Sequence, residues 1–226
     1  MEQITQQLSR KERERIFKRQ EIISAAREVF ALRGFSSATL DEIAERAEFG
    51  KGTLYSYFQS KDELFETVLA DIFDEFLVIA AETCSNPERS VEESYLDFAR
   101  QLLKHLFSNH GIYYLLMREM HKMQHQSHFA TMFPNLLILM ADPLKRSLSE
   151  SKAADNAAER LGFMFLTIIL SLFRSSLHIL GQKHCCDEVT PLELSHEEIE
   201  TQIERNLLLV KQVYFHGILS MTETGK

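Results

Sequence analysis

The segment TLDEIAERAEFGKGTLYSYFQSK, residues 39–61, contains two short helical patterns with a tight break between them. Thr39 stands three residues before Glu42, which is the spacing of a capping box at the start of a helix. After the break EFG, residues 48–50, another short helix can begin at Lys51. Helices joined in this way predict a helix-turn-helix unit, whose later helix enters the major groove of DNA.

Helical patterns also flank this segment. On its N-terminal side, apolar residues recur with the period of one helix face over about residues 15–33. They are Ile22, Ala26, Val29 and Phe30. Gly34 is expected to end that helix with a left-handed backbone. On the C-terminal side, Ser60 is expected to cap a long helix, with Glu63 three residues on.

The helix from Lys51 to about Phe58 has a composition that suits contact with DNA. Gly50 and Gly52 remove side chains where a backbone must approach another surface closely. Its lysine, short hydroxyls and tyrosines are donors suited to phosphate oxygens and to limited base reading. A purely structural role is the alternative, in which Tyr55 packs on the first helix and Gly50 serves only the turn.

The charge distribution separates the start of the chain from the rest. The net charge of the whole chain is -8, but residues 1–61 contain 11 basic and 9 acidic residues, which leaves -10 for the remainder. Within the first part, RKERERIFKR, residues 10–19, has six basic and two acidic residues. Its positive field favours a nucleic-acid partner, although a solvated helix with internal Glu–Arg pairs has the same composition.

The whole chain of 226 residues is predicted to be all-α. No sustained period-2 alternation and no Asn-Gly or Asp-Gly hairpin signal is found, and 45% of the residues are hydrophobic. Beyond the long helix that follows Ser60, helices are expected over about 91–109, 112–126, 154–180 and 196–219. Another is expected from near Pro134, with a break or kink at Asp142–Pro143.

Three sequence elements resemble the DNA-binding domain of the TetR/AcrR family of bacterial transcriptional regulators. The elements are Ala26, Phe30, Gly34 and Phe35; then Thr39, Ile43 and Ala44; then Gly52 through Lys61. The resemblance implies a homodimer with two helix-turn-helix heads on a palindromic operator, with a larger helical domain for dimerisation and for a small-molecule pocket. The expected domains are a basic N-terminal extension, 1–16, a DNA-binding domain, 17–62, and a ligand-binding and dimerisation domain, 63–226.

The resemblance also implies which residues contact DNA. They are Thr39, Lys51, Gly52, Thr53, Tyr55, Ser56, Tyr57 and Lys61. Lys51 and Ser56 are expected at base edges, and Thr39 and Lys61 at phosphates. The turn departs from the family pattern, because Glu48 stands where a glycine is common. A left-handed Glu48 would cost on the order of 1 kcal/mol relative to glycine.

The last two predicted helices have more apolar surface than one partner helix can cover. We therefore expect a four-helix dimer interface, with burial inside one subunit as the alternative. The expected interface residues are Leu166, Leu170, Ile203, Leu207, Val210 and Tyr214. Arg174 and His178 interrupt the apolar stretch 161–181, so a buried helix explains it better than a membrane span, and no membrane partner is expected.

A pocket for a small, largely apolar or aromatic effector is expected in the larger domain. The segment 113–133 places adaptable methionines among aromatic residues, which suits either such a pocket or plain core filling. The candidate lining residues are Phe107, Tyr113, Tyr114, Met117, Phe165 and Phe173.

Metal sensing and redox sensing are weaker alternatives. His121, His125 and His128 share a helix face, and Cys185 and Cys186 are adjacent, but neither spacing is typical of a structural zinc site. No cofactor or metal is expected. The chain has no nucleophile motif, P-loop or zinc-protease motif, so we do not expect an enzyme, although a helical interaction module remains an alternative.

The cellular location is inferred from the cysteines and from the N-terminus. Three cysteines are too few for a disulfide framework, and the first 20 residues contain no apolar stretch of signal-peptide length. We therefore expect a cytoplasmic, ligand-responsive DNA-binding regulator, most simply a repressor.

Overall fold

The computed structural model describes residues 9–111, 113, 127–147, 152–183 and 194–219. These residues form helices and, within those ranges, no strand, which confirms the all-α prediction. The helices are α1 (Arg10–Ser37), α2 (Leu40–Arg46), α3 (Lys51–Tyr57), α4 (Lys61–Cys84), α5 (Val91–Ser108), α6 (Ser127–Ser147), α7 (Lys152–Lys183) and α8 (His196–Val210). A π-helix, Lys211–Leu219, continues α8.

The chain divides into two compact units. Among the described residues, the first unit, here called the head, extends to Asp71 and includes Gly111 and Tyr113. The second, here called the body, contains residues 72–110 and the described residues from Ser127 onward. The division therefore falls within α4, later than the expected boundary after residue 62.

The first helix begins earlier than expected because Ser9 caps it. The Ser9 hydroxyl accepts from the Glu12 amide at 3.3 Å, and the Glu12 carboxylate accepts from the Ser9 amide at 2.8 Å. The described part of the basic extension is therefore exposed helix, continuous with α1. At the other end, Gly34 has φ 74° and ψ 163°, so the positive-φ break expected there is present, although ψ lies outside the left-handed helical region.

The head is built around the predicted apolar faces of α1 to α4. Phe30, Phe35 and Phe65 form an aromatic cluster, with ring centroids 5.1 Å apart for Phe30 and Phe65 and 4.7 Å for Phe35 and Phe65. The other deeply buried residues of this core are Ile22, Ala26, Ile43, Ala44, Leu54, Phe58, Leu64 and Val68. Each short helix thus contributes one inward face, and together these faces fix the orientation of α3.

The body has an aromatic core that joins α5, α7 and the π-helix that follows α8. The Phe165 ring lies 4.4 Å from Tyr95 and 4.8 Å from Tyr214, measured between centroids. The Tyr95 hydroxyl donates to the Met140 carbonyl at 2.5 Å, and the Tyr214 hydroxyl donates to the Leu161 carbonyl at 3.0 Å. Burial raises the pKa of both tyrosines, so both remain neutral donors.

A small polar cluster pins α8 to α7 inside this core. The amides of Gln202 and Asn206 donate to the Ser176 hydroxyl at 2.9 and 3.0 Å, and that hydroxyl lies 2.7 Å from the Leu172 carbonyl. Ser176 and Asn206 are both 1% exposed. Because buried polar groups must be hydrogen-bonded, the cluster favours one register of the two helices.

Of the break or kink expected at Asp142–Pro143, a break is wrong, because α6 is continuous through Pro134 and Pro143 and begins at Ser127. Proline removes only one helical hydrogen bond at each position, and the neighbouring side chains hold the segment in the core. Met140, Ala141 and Leu144 are 0 to 3% exposed.

The seam that we expected at the dimer interface lies inside the body, which corrects that prediction. Ile203, Val210 and Tyr214 are at most 1% exposed, and the other members of the set are Leu166 at 2%, Leu207 at 7% and the half-buried Leu170. Within one subunit these residues are largely covered, and Leu170 keeps the most exposed surface of the set. Exposed apolar side chains occur elsewhere on the same helices: Phe163, Met164, Ile179, Leu208, Leu209 and Val213.

One stretch of α7, Asn156–Leu180, is long and apolar enough to cross a membrane by length and composition alone. About a third of its most apolar window is buried inside the subunit. Arg174 is exposed within this stretch, which is unfavourable in a bilayer core.

Candidate nucleic-acid interface

The turn between α2 and α3 is a Schellman motif with glutamate at the position usually occupied by glycine. The Phe49 amide donates to the Ala44 carbonyl at 2.9 Å, and the Glu48 amide donates to the Glu45 carbonyl at 3.0 Å. Glu48 has φ 57°. The left-handed conformation expected of Glu48 is therefore present, and the hydrogen bonds of the motif hold it there.

Thr39 begins α2 with the predicted capping box. Its hydroxyl accepts from the Glu42 amide at 3.2 Å, and the Glu42 carboxylate accepts from the Thr39 amide at 3.0 Å. The Thr39 hydroxyl also lies 3.1 Å from the same carboxylate. Its single proton is therefore already donated, and Thr39 would meet a phosphate only by exchanging this partner.

The start of α3 is open to contact from outside the chain. Gly50, the N-cap residue, supplies no side-chain cap, and its φ of -65° is available to any residue. A Cβ atom added at Gly50 or Gly52 would meet nothing within 4 Å. Neither backbone strain at Gly50 nor packing at Gly50 or Gly52 within the described chain requires glycine.

The side chains of α3 divide into an anchoring face and a presented face. Leu54 and Phe58 are at most 1% exposed and fix the helix on the head core. The predicted contact residues lie toward solvent: Lys51, Gly52, Tyr55 and Ser56 are exposed, and Thr53 and Tyr57 are half-buried. The Ser56 hydroxyl lies 2.6 Å from the Thr53 carbonyl, so Ser56 can reach a base only by leaving that bond.

Lys51 is joined to α2 by an ion pair that the sequence reading missed. Its ammonium lies 2.5 Å from the Asp41 carboxylate, and both side chains are more than half exposed. The Asp41 hydrogen bond raises the pKa of Lys51, so the lysine stays charged.

The position of Lys61 differs from the predicted phosphate contact. Its ammonium donates to the carbonyls of Ser36 and Ala38 at 3.1 and 2.9 Å, and lies 4.7 Å from the centroid of the Phe35 ring. Lys61 is half-buried and ties the start of α4 to the segment that follows Gly34. These bonds tie Lys61 into the head, and its contact with a phosphate stays a prediction.

The exposed start of α1 carries the positive field of the head. Residues 10–19 are exposed apart from the half-buried Lys18, whose ammonium is 3.0 Å from the Glu14 carboxylate. Arg19 lies over the Phe58 ring at 5.2 Å and so connects this segment to the end of α3. Phe17, in the same segment, is 64% exposed, and the sequence offered no reason to single it out.

Comparison with known proteins assigns this head to a family. Residues 22–68 match the model for bacterial regulatory proteins of the tetR family. The chain is 50% identical over 52 residues to the HTH-type transcriptional regulator SrpR of Pseudomonas putida, and 48% identical over 52 residues to the activator FasR of Mycolicibacterium smegmatis. In sequence, the head of this chain thus resembles the TetR family.

The family likeness is strongest in the head. The matched stretches cover 23% of this chain and 24% of SrpR and FasR, about a quarter of each relative. Over the whole fold, the chain resembles the regulator FadR of Bacillus subtilis, solved in complex with stearoyl-CoA, with a TM-score of 0.61 and 16% identity. That alignment covers 84% of this chain and 96% of FadR, so the chain shares the fold of that regulator.

Three of the predicted pocket residues, Phe107, Phe165 and Phe173, are packed into the core of the body. Phe107 and Phe173 stack edge to face with centroids 5.1 Å apart, and Phe165 lies in the tyrosine cluster described above. Tyr113, which belongs to the head, is 1% exposed. Tyr114 and Met117 lie outside the described residues, so the pocket stays a prediction.

The metal and redox alternatives fall mainly outside the described residues. His121, His125, Cys185 and Cys186 are not described, nor is the side chain of His128. Across the part of the chain that is described, no group of three or more His, Cys, Asp or Glu side chains could hold a metal. Cys84 is buried, and burial raises the pKa of its thiol to about 11.

Proposed function

We propose that this TetR-family chain is a ligand-responsive transcriptional regulator that binds a palindromic operator as a dimer. The observation that carries the proposal is the start of α3, where exposed donors surround two glycines that nothing within the described chain requires. A surface of this kind can bring a helix backbone close to phosphates while Lys51 and Tyr55 reach outward. The curated relatives are transcriptional regulators, which supports the same function.

The charge distribution of the head supports DNA as the partner. The exposed arginines and lysines of residues 10–19 extend α1 beyond the core, and Arg19 stands beside the end of α3. Such a segment attracts the phosphate backbone without regard to sequence, and α3 would then supply the base contacts. The overall charge of -8 does not oppose this, because the negative excess lies beyond residue 61.

Dimerisation is supported by the exposed apolar residues of α7 and α8. Leu208 is 59% exposed, Val213 50% and Phe163 46%, on two helices that already pack against each other. A second copy would cover such residues and would also supply the second head that a palindrome requires. This face replaces the buried seam that the sequence suggested.

The proposed effector is small and largely apolar, and its binding is proposed to release the DNA. The aromatic core of the body and the stearoyl-CoA complex of the fold neighbour FadR support this class of ligand. The effector must bind more tightly to the state whose heads no longer match half-sites about 34 to 36 Å apart, or a multiple of that. Repression and a cytoplasmic location complete the proposal, although the relative FasR is an activator.

The test is a fluorescence-anisotropy titration with DNA from upstream of the protein's own gene and a scrambled duplex, at two salt concentrations. We expect salt-sensitive binding that prefers the upstream duplex. Lys51→Ala and Tyr57→Ala should each weaken binding to it about tenfold, within the range of one base or phosphate contact. Lys104→Ala, which removes an exposed lysine from the body, is the matched control and should have no effect.

Two outcomes would count against the proposal. Wild-type protein that binds both duplexes equally at every salt concentration would indicate a helical module whose head does not read this sequence. Preferential binding that Lys51→Ala and Tyr57→Ala leave unchanged would place the DNA surface elsewhere on the head.

A further inference from the structure

Asp41 has no evident role in folding, although it is bonded to a residue of the proposed recognition helix. It lies in the first turn of α2, where Thr39 and Glu42 already cap the helix. Its carboxylate instead reaches across the turn to the Lys51 ammonium at 2.5 Å. The two side chains are 52% and 65% exposed, and ion pairs with that exposure contribute little to stability.

The pair has a clear consequence for DNA binding. A free lysine binds any phosphate, because the counterion release that drives this contact does not depend on sequence. A lysine whose charge is neutralised by a neighbouring carboxylate gains less from a phosphate. Lysine has three donors, and the two that Asp41 leaves can still bond to a base acceptor.

The carboxylate also fixes where the ammonium points. Lysine has a flexible four-carbon side chain, so an unpaired Lys51 would sample many directions around the start of α3. The bond to Asp41 joins the first turns of α2 and α3 and limits this freedom. A negative charge beside the DNA surface opposes contact with phosphates in general, and repulsive elements of this kind are a source of specificity.

We propose that Asp41 is a specificity-determining residue, which restrains Lys51 so that it contacts a chosen base rather than any nearby phosphate. The inference rests on the proposed DNA-binding function and assigns a role to a residue that would not itself touch a base. Replacing Asp41 should therefore strengthen binding to DNA in general and reduce discrimination among sequences.

The chain contains a matched control on the same helix. Glu45 is also an exposed acid of α2, but it lines the groove that contains Arg33 and Arg46. Glu45→Gln and Asp41→Asn remove the same charge from the same short helix. Because both variants change the net charge equally, a difference in their DNA binding reports the loss of the bond between Asp41 and Lys51.

The experiment compares wild type, Asp41→Asn, Glu45→Gln, Lys51→Ala and the double variant Asp41→Asn/Lys51→Ala. The probes are the duplex that wild-type protein enriches most from a random pool and a scrambled duplex of equal composition. Affinity is measured by anisotropy at three salt concentrations. Thermal melting confirms that each variant is folded, with Asp41→Ser as a second substitution at the same site.

We expect Asp41→Asn to bind the scrambled duplex more tightly, with a salt slope steeper by about 0.9 for one added phosphate contact. The ratio of selected to scrambled affinity should fall about fivefold or more, the lower end of what one base contact provides. Glu45→Gln should change the ratio little, and in the Lys51→Ala background Asp41→Asn should have no further effect.

Equal effects of Asp41→Asn and Glu45→Gln would overturn the inference while leaving the proposed function intact. An Asp41→Asn effect that persists without Lys51 would also overturn it, because Asp41 would then act by general repulsion. Wild-type protein that enriches no sequence from the pool would overturn both the inference and the proposed function.

Discussion

The head and the body contain the same kind of sequence pattern, but only in the head does the pattern identify the buried face. Ile22, Ala26 and Phe30 were expected to share one helix face, and each of them is 0% exposed. In the body, Ile203 and Val210 were expected to face a second subunit, and both are buried inside their own. The difference arises because the head helices have one apolar face each, whereas α8 has apolar residues on more than one side.

An apolar stripe on a helix does not by itself identify the surface that covers it. The hydrophobic effect rewards the removal of apolar area from water, whichever surface covers it. On α8 the side with Ile203 and Val210 and the side with Leu208 and Leu209 are therefore equally good candidates for the core. Only the packing of the body shows that the second is exposed.

The largest expected effect tests the buried seam. Ile203→Ala should lower the free energy of unfolding by about 2 to 5 kcal/mol, as large-to-small changes in a core do. Leu208→Ala, on the exposed side of the same helix, is the control and should leave the stability of the subunit nearly unchanged. Urea unfolding at several protein concentrations separates subunit stability from dissociation. Equal losses in the two variants would mean that the faces of α8 have been assigned wrongly.

The second effect concerns the exposed face. Leu208→Glu should weaken the dimer by about 2 kcal/mol or more, as for a central interface residue, because it would bury an unpaired charge. Sedimentation velocity across a concentration series measures this, and Ser85→Glu adds the same charge at an exposed position of the body as a control. A dimer that Leu208→Glu leaves intact would require another interface.

The third effect concerns Lys61. Lys61→Met should lower the stability of the fold by about 1 to 2 kcal/mol, because two carbonyls lose a charged donor. Lys51→Met, which changes an exposed lysine, should not alter the melting temperature. Normal stability of Lys61→Met combined with weaker DNA binding would instead support the phosphate contact that the family resemblance implies.

The smallest effect concerns the turn. Glu48→Gly should raise the free energy of unfolding by about 1 kcal/mol, because glycine adopts positive φ without steric cost. Glu45→Gly, inside α2, should lower it by about 0.5 to 1 kcal/mol, since glycine weakens a helix interior. Changes of the same sign in both variants, measured by thermal unfolding, would contradict the strain assigned to Glu48.

Local patterns in the sequence identified the features that depend on a few neighbouring residues. The capping box predicted at Thr39 is present, and Gly34 breaks α1 as expected. The cap at Ser9 has the same spacing and was readable, but it was missed. Such features follow from i to i+3 hydrogen bonds, which a sequence displays directly.

The features that could not be predicted depend on contacts between distant segments. Lys61 bonds to carbonyls 23 and 25 residues earlier, and Lys51 bonds to Asp41 across the turn. Lys61 ends the third family element and Lys51 directly precedes it, so the family resemblance suggested DNA contacts for both. The structure distinguishes the two lysines. The Lys61 ammonium lies against backbone carbonyls of the head, whereas the Lys51 side chain is 65% exposed.

Selection from a random duplex pool is the most direct test of whether a pair of these heads reads DNA through α3. The protein is incubated with the pool at moderate salt, and bound duplexes are sequenced over successive rounds. The account predicts a palindromic motif whose half-sites lie about 10 base pairs apart, or a multiple of that. It also predicts that Lys51→Ala changes or weakens the motif. A pool that is not enriched, or a motif that is the same with and without Lys51, would contradict it.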